Sequence, residues 1–181
     1  MYQDDSLVVF VYVALPHKRY TCLIDLPLFC LAAMNNRILL IAHAPLAHAL
    51  RECARHVFPD CATQVLTLDV VANADPQASL EQARALLDAA GDAPVLLLTD
   101  VFGATPHNVA QELAKRPDAR LVTGVNLPML LRSICYAQEP LDSLAARAVA
   151  GGTQGILQVT SATPQNQNTR HYDPDQRDHQ Q

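Results

Sequence analysis

The stretch "ILLIAHAPLAHAL", residues 38–50, decides how the chain is read. Five of the six residues before His43 are apolar, so residues 37–42 read as a buried strand that stops at a histidine. Pro45 follows two positions later. A helical pattern begins there, with Leu46, Leu50, Cys53 and Val57 as one apolar stripe. A histidine at such a joint can be a core residue, a metal ligand or a nucleophile, and the rest of the sequence has to choose among them.

Downstream the same alternation repeats. Residues 64–69 read as a second strand. Asp75-Pro76 is a cap followed by proline at the first helical position, and Leu80, Ala83 and Leu87 continue that helix's apolar face. Residues 94–99 are a third strand, a continuous apolar run of the kind parallel sheets require. Thr105-Pro106 repeats the cap-and-proline signal and opens a helix to Lys115. Residues 120–124 form a fourth strand, Asn126 and Pro128 open another helix, and residues 141–150 a further one. A short strand at residues 156–159 is expected to close the domain. Strands and helices alternating over short links predict an α/β fold: an open, mainly parallel sheet with helices on both faces.

This domain is expected to span residues 35–160. Residues 1–34 do not share its pattern. Their apolar runs fall short of the roughly 18–20 residues of a membrane span, and Asp4 and Asp5 stand where a signal peptide carries positive charge. We read them as an extension outside the domain, with Met34 as the expected natural start. Residues 161–181 are polar and rich in Gln and Asn, and are expected to be a disordered tail.

Of the 181 residues, half are hydrophobic and 17% are charged, which is a globular composition. The net charge of −5 argues against nucleic-acid binding, and the absence of Trp argues against stacking platforms. Five cysteines (Cys22, Cys30, Cys53, Cys61 and Cys135), odd in number and without a CxxC, exclude a disulfide framework and a zinc ribbon. Thiols of a cytoplasmic protein are the expected reading, with Cys135 in the core.

In open parallel sheets, ligands bind beyond the carboxyl ends of the strands, near the topological switch point. The strand ends here are His43, Asp69, Asp100 and Gly124-Val125-Asn126. His43 and Asp100 form the sharpest pair. A carboxylate that accepts one ring N–H leaves the other imidazole nitrogen free to attack. The stretch "TDVFGATPHN", residues 99–108, adds Gly103, which tolerates unusual backbone angles, then Ala104 and Thr105 at a helix start whose free amides suit phosphate. The common nucleotide fingerprints GxGxxG and GxxxxGK[ST] are missing. His48, Glu52 and His56 share a helix face but read as a solvated surface, and no metal site is expected. His107 is at most a rim contact.

"RILLIAHAPLAHAL", "LLLTDVFGATPHNVA" and "LVTGVNLPMLL" together resemble the IIA component of the mannose-family phosphoenolpyruvate-dependent sugar phosphotransferase system (PTS). The resemblance covers about residues 36–159. It implies a four-stranded parallel sheet plus one antiparallel strand at residues 156–159, exchanged between subunits in family dimers. It implies that His43 accepts a phosphoryl group from phospho-HPr and passes it to a IIB component, that Asp100 orients His43, and that Thr105, with Gly103 and Ala104, lies at the phosphate. It implies no cofactor, a homodimer, and no insertion in the membrane. The family often has Gly-Thr-His-Gly around the histidine, where this chain has Ile41-Ala42-His43-Ala44. The hydroxyl before the histidine is gone, and the glycine after it carries a methyl. Two other readings compete. One is a regulatory protein whose phosphorylation state controls partner binding. The other is a flavodoxin-like or nucleotide-binding module on the same rim. A receiver domain fits less well, since no acidic pair follows the first strand.

Overall fold

The computed structural model describes residues 36–159. The expected N-terminal extension and polar tail lie outside the described residues. Four strands alternate with helices: β1 (Arg37–His43), α1 (Leu46–Val57), β2 (Leu66–Val70), α2 (Pro76–Ala90), β3 (Val95–Thr99), α3 (Thr105–Leu113), β4 (Ala119–Thr123), α4 (Leu127–Cys135) and α5 (Leu141–Gln154). All pairings are parallel, in the order β2-β1-β3-β4. The chain steps from β1 to β2 on one side, then crosses back to β3 on the other. The switch point therefore lies between β1 and β3.

Two hydrophobic layers sandwich this sheet. Side chains alternate across a strand. Ile38, Leu40, Ala42, Leu96 and Leu98 pack under α1, α4 and α5. Leu39, Ile41, Val95 and Leu97 pack under α2 and α3. Residues 38–42 of β1 and all of β3 are buried, and each such aliphatic side chain contributes about 1.5–3 kcal/mol relative to exposure. By the same alternation His43 is in line with Leu39 and Ile41, on the face that α2 and α3 cover.

Several details depart from the sequence expectations. The buried residues of α1 are Ala47 and Ala54, with Leu50 between them, while Leu46 and Cys53 are exposed. The stripe is turned by one residue because small side chains let α1 lie close to the sheet. Cys135 is also exposed, at the last turn of α4. Helix α5 continues past Ala150 through Gly151 and Gly152. A Cβ on Gly151 would meet Arg132 Cβ at 2.6 Å, and one on Gly152 would meet Met129 Cε at 2.7 Å. These glycines sit inside the helix because α4 lies too close for a side chain. The expected antiparallel strand at residues 156–159 does not form: they are irregular and exposed, and no described strand pairs with them. Gly155 packs against Pro128 at the start of α4.

Candidate active site

β1 ends at His43 and β3 at Thr99, so Asp100 stands beside the histidine across the switch point. The Asp100 Oδ2 atom lies 2.7 Å from His43 Nδ1 and accepts the His43 backbone N–H at 2.9 Å. Its other oxygen accepts the Val101 N–H at 2.8 Å. Burial works against a charge on Asp100. The His43 amide, the His43 ring and the Val101 amide together outweigh it, and the carboxyl is held below its ordinary value. An ionised carboxylate can only accept, so Nδ1 carries the proton and Nε2 of the neutral ring keeps its lone pair. The Asp100 side chain is 8% exposed and the His43 side chain 52%, so an anchored carboxylate presents an accessible ring.

The second rim carboxylate does something else. Asp69 Oδ1 accepts the amides of Ala47 at 2.9 Å and His48 at 3.3 Å. It caps α1 from the neighbouring strand, so of the two carboxylates at the strand ends only Asp100 is turned to His43. Four helices begin on this rim, and three have a carboxylate or amide on their first turn. Asp75 caps α2 and Asn126 caps α4. α3 has no side-chain cap.

The start of α3 is one residue off the sequence reading. Ala104 is the N-cap, and Thr105 and Pro106 are the first two helical residues. Gly103 has φ +78°, a conformation that favours glycine, and it turns the loop from Asp100 into the helix. The first turn presents the Thr105 and His107 amides, and Pro106 has none to present.

His107 is not a rim contact. It is 6% exposed, with Nδ1 3.1 Å from Thr123 Oγ1, and its ring packs 4.6 Å from that of Phe102. The inward spacing of His107, Ala110 and Leu113 on α3 is the signal that could have placed it inside. His48 and His56 are exposed, and among the described residues no three His, Cys, Asp or Glu side chains gather as a metal site.

The sequence model of the family described as "PTS system fructose IIA component" matches residues 37–149. The chain belongs to the mannose-family PTS IIA components. It is similar to a sorbose-specific EIIA component of Lacticaseibacillus casei, with 30% identity over 95 residues, 52% of this chain and 68% of that one. Among solved structures, it resembles the mannose/sorbose-specific IIA subunit of Enterococcus faecalis, with TM-score 0.66 and 24% identity, covering 71% of this chain and 97% of that one. It also resembles a PTS IIA protein associated with the fucose utilization operon of Streptococcus pneumoniae, with TM-score 0.61 and 23% identity, covering 71% and 96%. This IIA component therefore has a role in PTS sugar transport, with the phosphotransferase activity of its family. Its family works with HPr and IIB components. Among the described residues no helix is long and apolar enough to cross a membrane.

Proposed function

We propose that His43 carries a phosphoryl group from phospho-HPr to a IIB component. The observation that carries this reading is the ionised Asp100 held on His43 Nδ1, which leaves Nε2 accessible on the face where α3 begins uncapped. The Nε2 lone pair attacks phosphorus in line. The N–P bond of the donor phosphohistidine breaks, and its electron pair returns to the donor ring. The Nδ1 proton stays in place, and the positive charge of the phosphorylated His43 ring faces the Asp100 carboxylate. The Thr105 and His107 amides and the Thr105 hydroxyl hold the phosphoryl oxygens, with Gly103 and Ala104 shaping the turn. Transfer to the IIB component is the same step reversed in direction.

The rim suits protein partners. Leu46, Val71, Val101 and Phe102 are all exposed, and they follow β1, β2 and β3 on both sides of His43. Such apolar side chains around a polar centre mark a surface that is covered during encounter. The exposed Ile156 and Leu157 beyond α5 support a homodimer in which residues 156–159 find their strand partner on a second copy.

The test is phosphorylation by phosphoenolpyruvate, enzyme I and HPr, read by intact mass. The full chain is expected to gain one acid-labile phosphoryl group, and His43→Ala none. Equal phosphorylation of both proteins, or of neither, would overturn the assignment.

A further inference from the structure

The first turn of α3 needs a fixed height relative to His43, and its own capping cannot supply it, since Ala104 has no polar side chain. A partly buried polar chain connects this turn to the ends of β3 and β4. His107 Nδ1 meets Thr123 Oγ1 at 3.1 Å, and Thr99 Oγ1 meets the same hydroxyl at 3.2 Å. Thr99 is fully buried at the end of β3, and the next residue is Asp100. The Thr99 carbonyl accepts the Gly124 and Val125 amides at 2.9 Å each, which locks the ends of β3 and β4 together. The chain His107–Thr123–Thr99 thus links the helix turn to the residue adjoining the carboxylate that holds His43.

We infer that His107 is a positioning residue for phosphoryl transfer: through Thr123 and Thr99 it fixes the α3 amides relative to His43. The inference rests on the reading of His43 as phosphoryl acceptor. His107 has two attachments. Its ring contacts Phe102 in the loop before α3, and its Nδ1 makes the hydrogen bond to Thr123. The backbone amide of the same residue is one of the two that α3 presents, so a shift of the side chain moves a phosphate donor directly. Displacements of about 1 Å at such a donor cost up to a hundredfold in rate.

Three variants separate the attachments. His107→Phe keeps an aromatic ring against Phe102 and removes the hydrogen bond. His107→Asn removes the ring and keeps a polar atom near the position of Nδ1. Thr123→Val removes the hydroxyl from the other side with little change of shape. Rates of His43 phosphorylation are measured against phospho-HPr concentration, beside the melting temperature of each protein.

The expected result is a maximal rate lowered about tenfold or more in His107→Phe and Thr123→Val, with the half-saturating phospho-HPr concentration unchanged. The double variant is expected to be no slower than either single one, because both break the same link. His107→Asn is expected to recover most of the rate despite losing the ring. Wild-type rates in either His107→Phe or Thr123→Val would overturn the inference, and so would a loss in His107→Asn as large as that in His107→Phe. A wild-type chain that takes no phosphoryl group overturns the reading of His43 itself, and is told apart because no variant is needed to see it.

Discussion

Two helices begin on the same rim with nearly the same local recipe and opposite outcomes. α3 starts after Gly103, at φ +78°, and α4 after Gly124, at φ +88°. Each has an extended N-cap residue and a proline within the first two helical positions. At α4 the N-cap is Asn126. Its Oδ1 accepts the Met129 amide at 2.9 Å, and its Nδ2 donates to the Gly152 carbonyl at 3.0 Å, tying α4 to α5. At α3 the N-cap is Ala104, which can do neither. One start is closed on itself and serves the fold. The other is left open beside His43, and its position is secured from below by His107. The comparison teaches that the proposed phosphoryl site is distinguished less by what it contains than by the cap it lacks.

The strongest way to break that comparison is to make α3 resemble α4. Ala104→Asp places a carboxylate at an N-cap whose backbone, φ −80° and ψ 171°, already suits one. It would accept the amides that the phosphoryl group needs and add like charge beside it. We expect His43 phosphorylation to fall by about a hundredfold, consistent with the loss of oxyanion-type donors. The same protein should be more stable, by about 0.5–1 kcal/mol in denaturant titration. A variant that is stabilised and still phosphorylated at the wild-type rate would show that the open start of α3 is not used.

The converse change at α4 is smaller. Asn126→Ala removes a cap and leaves the Gly152 carbonyl without its partner. The expected cost is about 1–2 kcal/mol, seen as a melting temperature lower by about 3–6 °C. Phosphorylation of His43 by phospho-HPr should stay within about twofold of wild type when measured well below that temperature. A tenfold loss of rate would mean that the two helix starts are not separate in function.

Much of this was legible in the sequence because strong local signals agreed. The apolar run before His43, the buried run of β3 and the Asp75-Pro76 and Asn126 caps each predicted their elements, and together they predicted the parallel sheet. His43 and Asp100 were legible as a pair because strand ends share a rim. What was hidden depended on distance across the fold. Asp69 looks like a free rim carboxylate until β2 is placed beside α1. His107 looks like a polar residue at an exposed helix start until Thr123, from the next strand, is brought to it. Gly151 and Gly152 look like a helix stop, and only the close approach of α4 explains why the helix runs through them. Residues 156–159 have the composition of a strand, but composition cannot supply a sheet edge to pair with.

The smallest effect sharpens the comparison through pH. Asp100 has a carboxyl below its ordinary value, because burial is outweighed by the hydrogen bonds from His43 and Val101. The folded state therefore favours the ionised form more than the unfolded chain does. Its contribution to stability is complete above the ordinary aspartate range, near pH 4, and is lost as pH falls through the lowered folded value. Asp100→Asn should accordingly melt below wild type at neutral pH, with a gap that narrows as the pH is taken from about 5 to about 3. The deficit of Asn126→Ala has no ionisation behind it and should persist over the same range. A gap for Asp100→Asn that stays constant would mean that the carboxylate is held by shape alone. It would then remove the reason for placing the proton on Nδ1, and with it the free lone pair on Nε2.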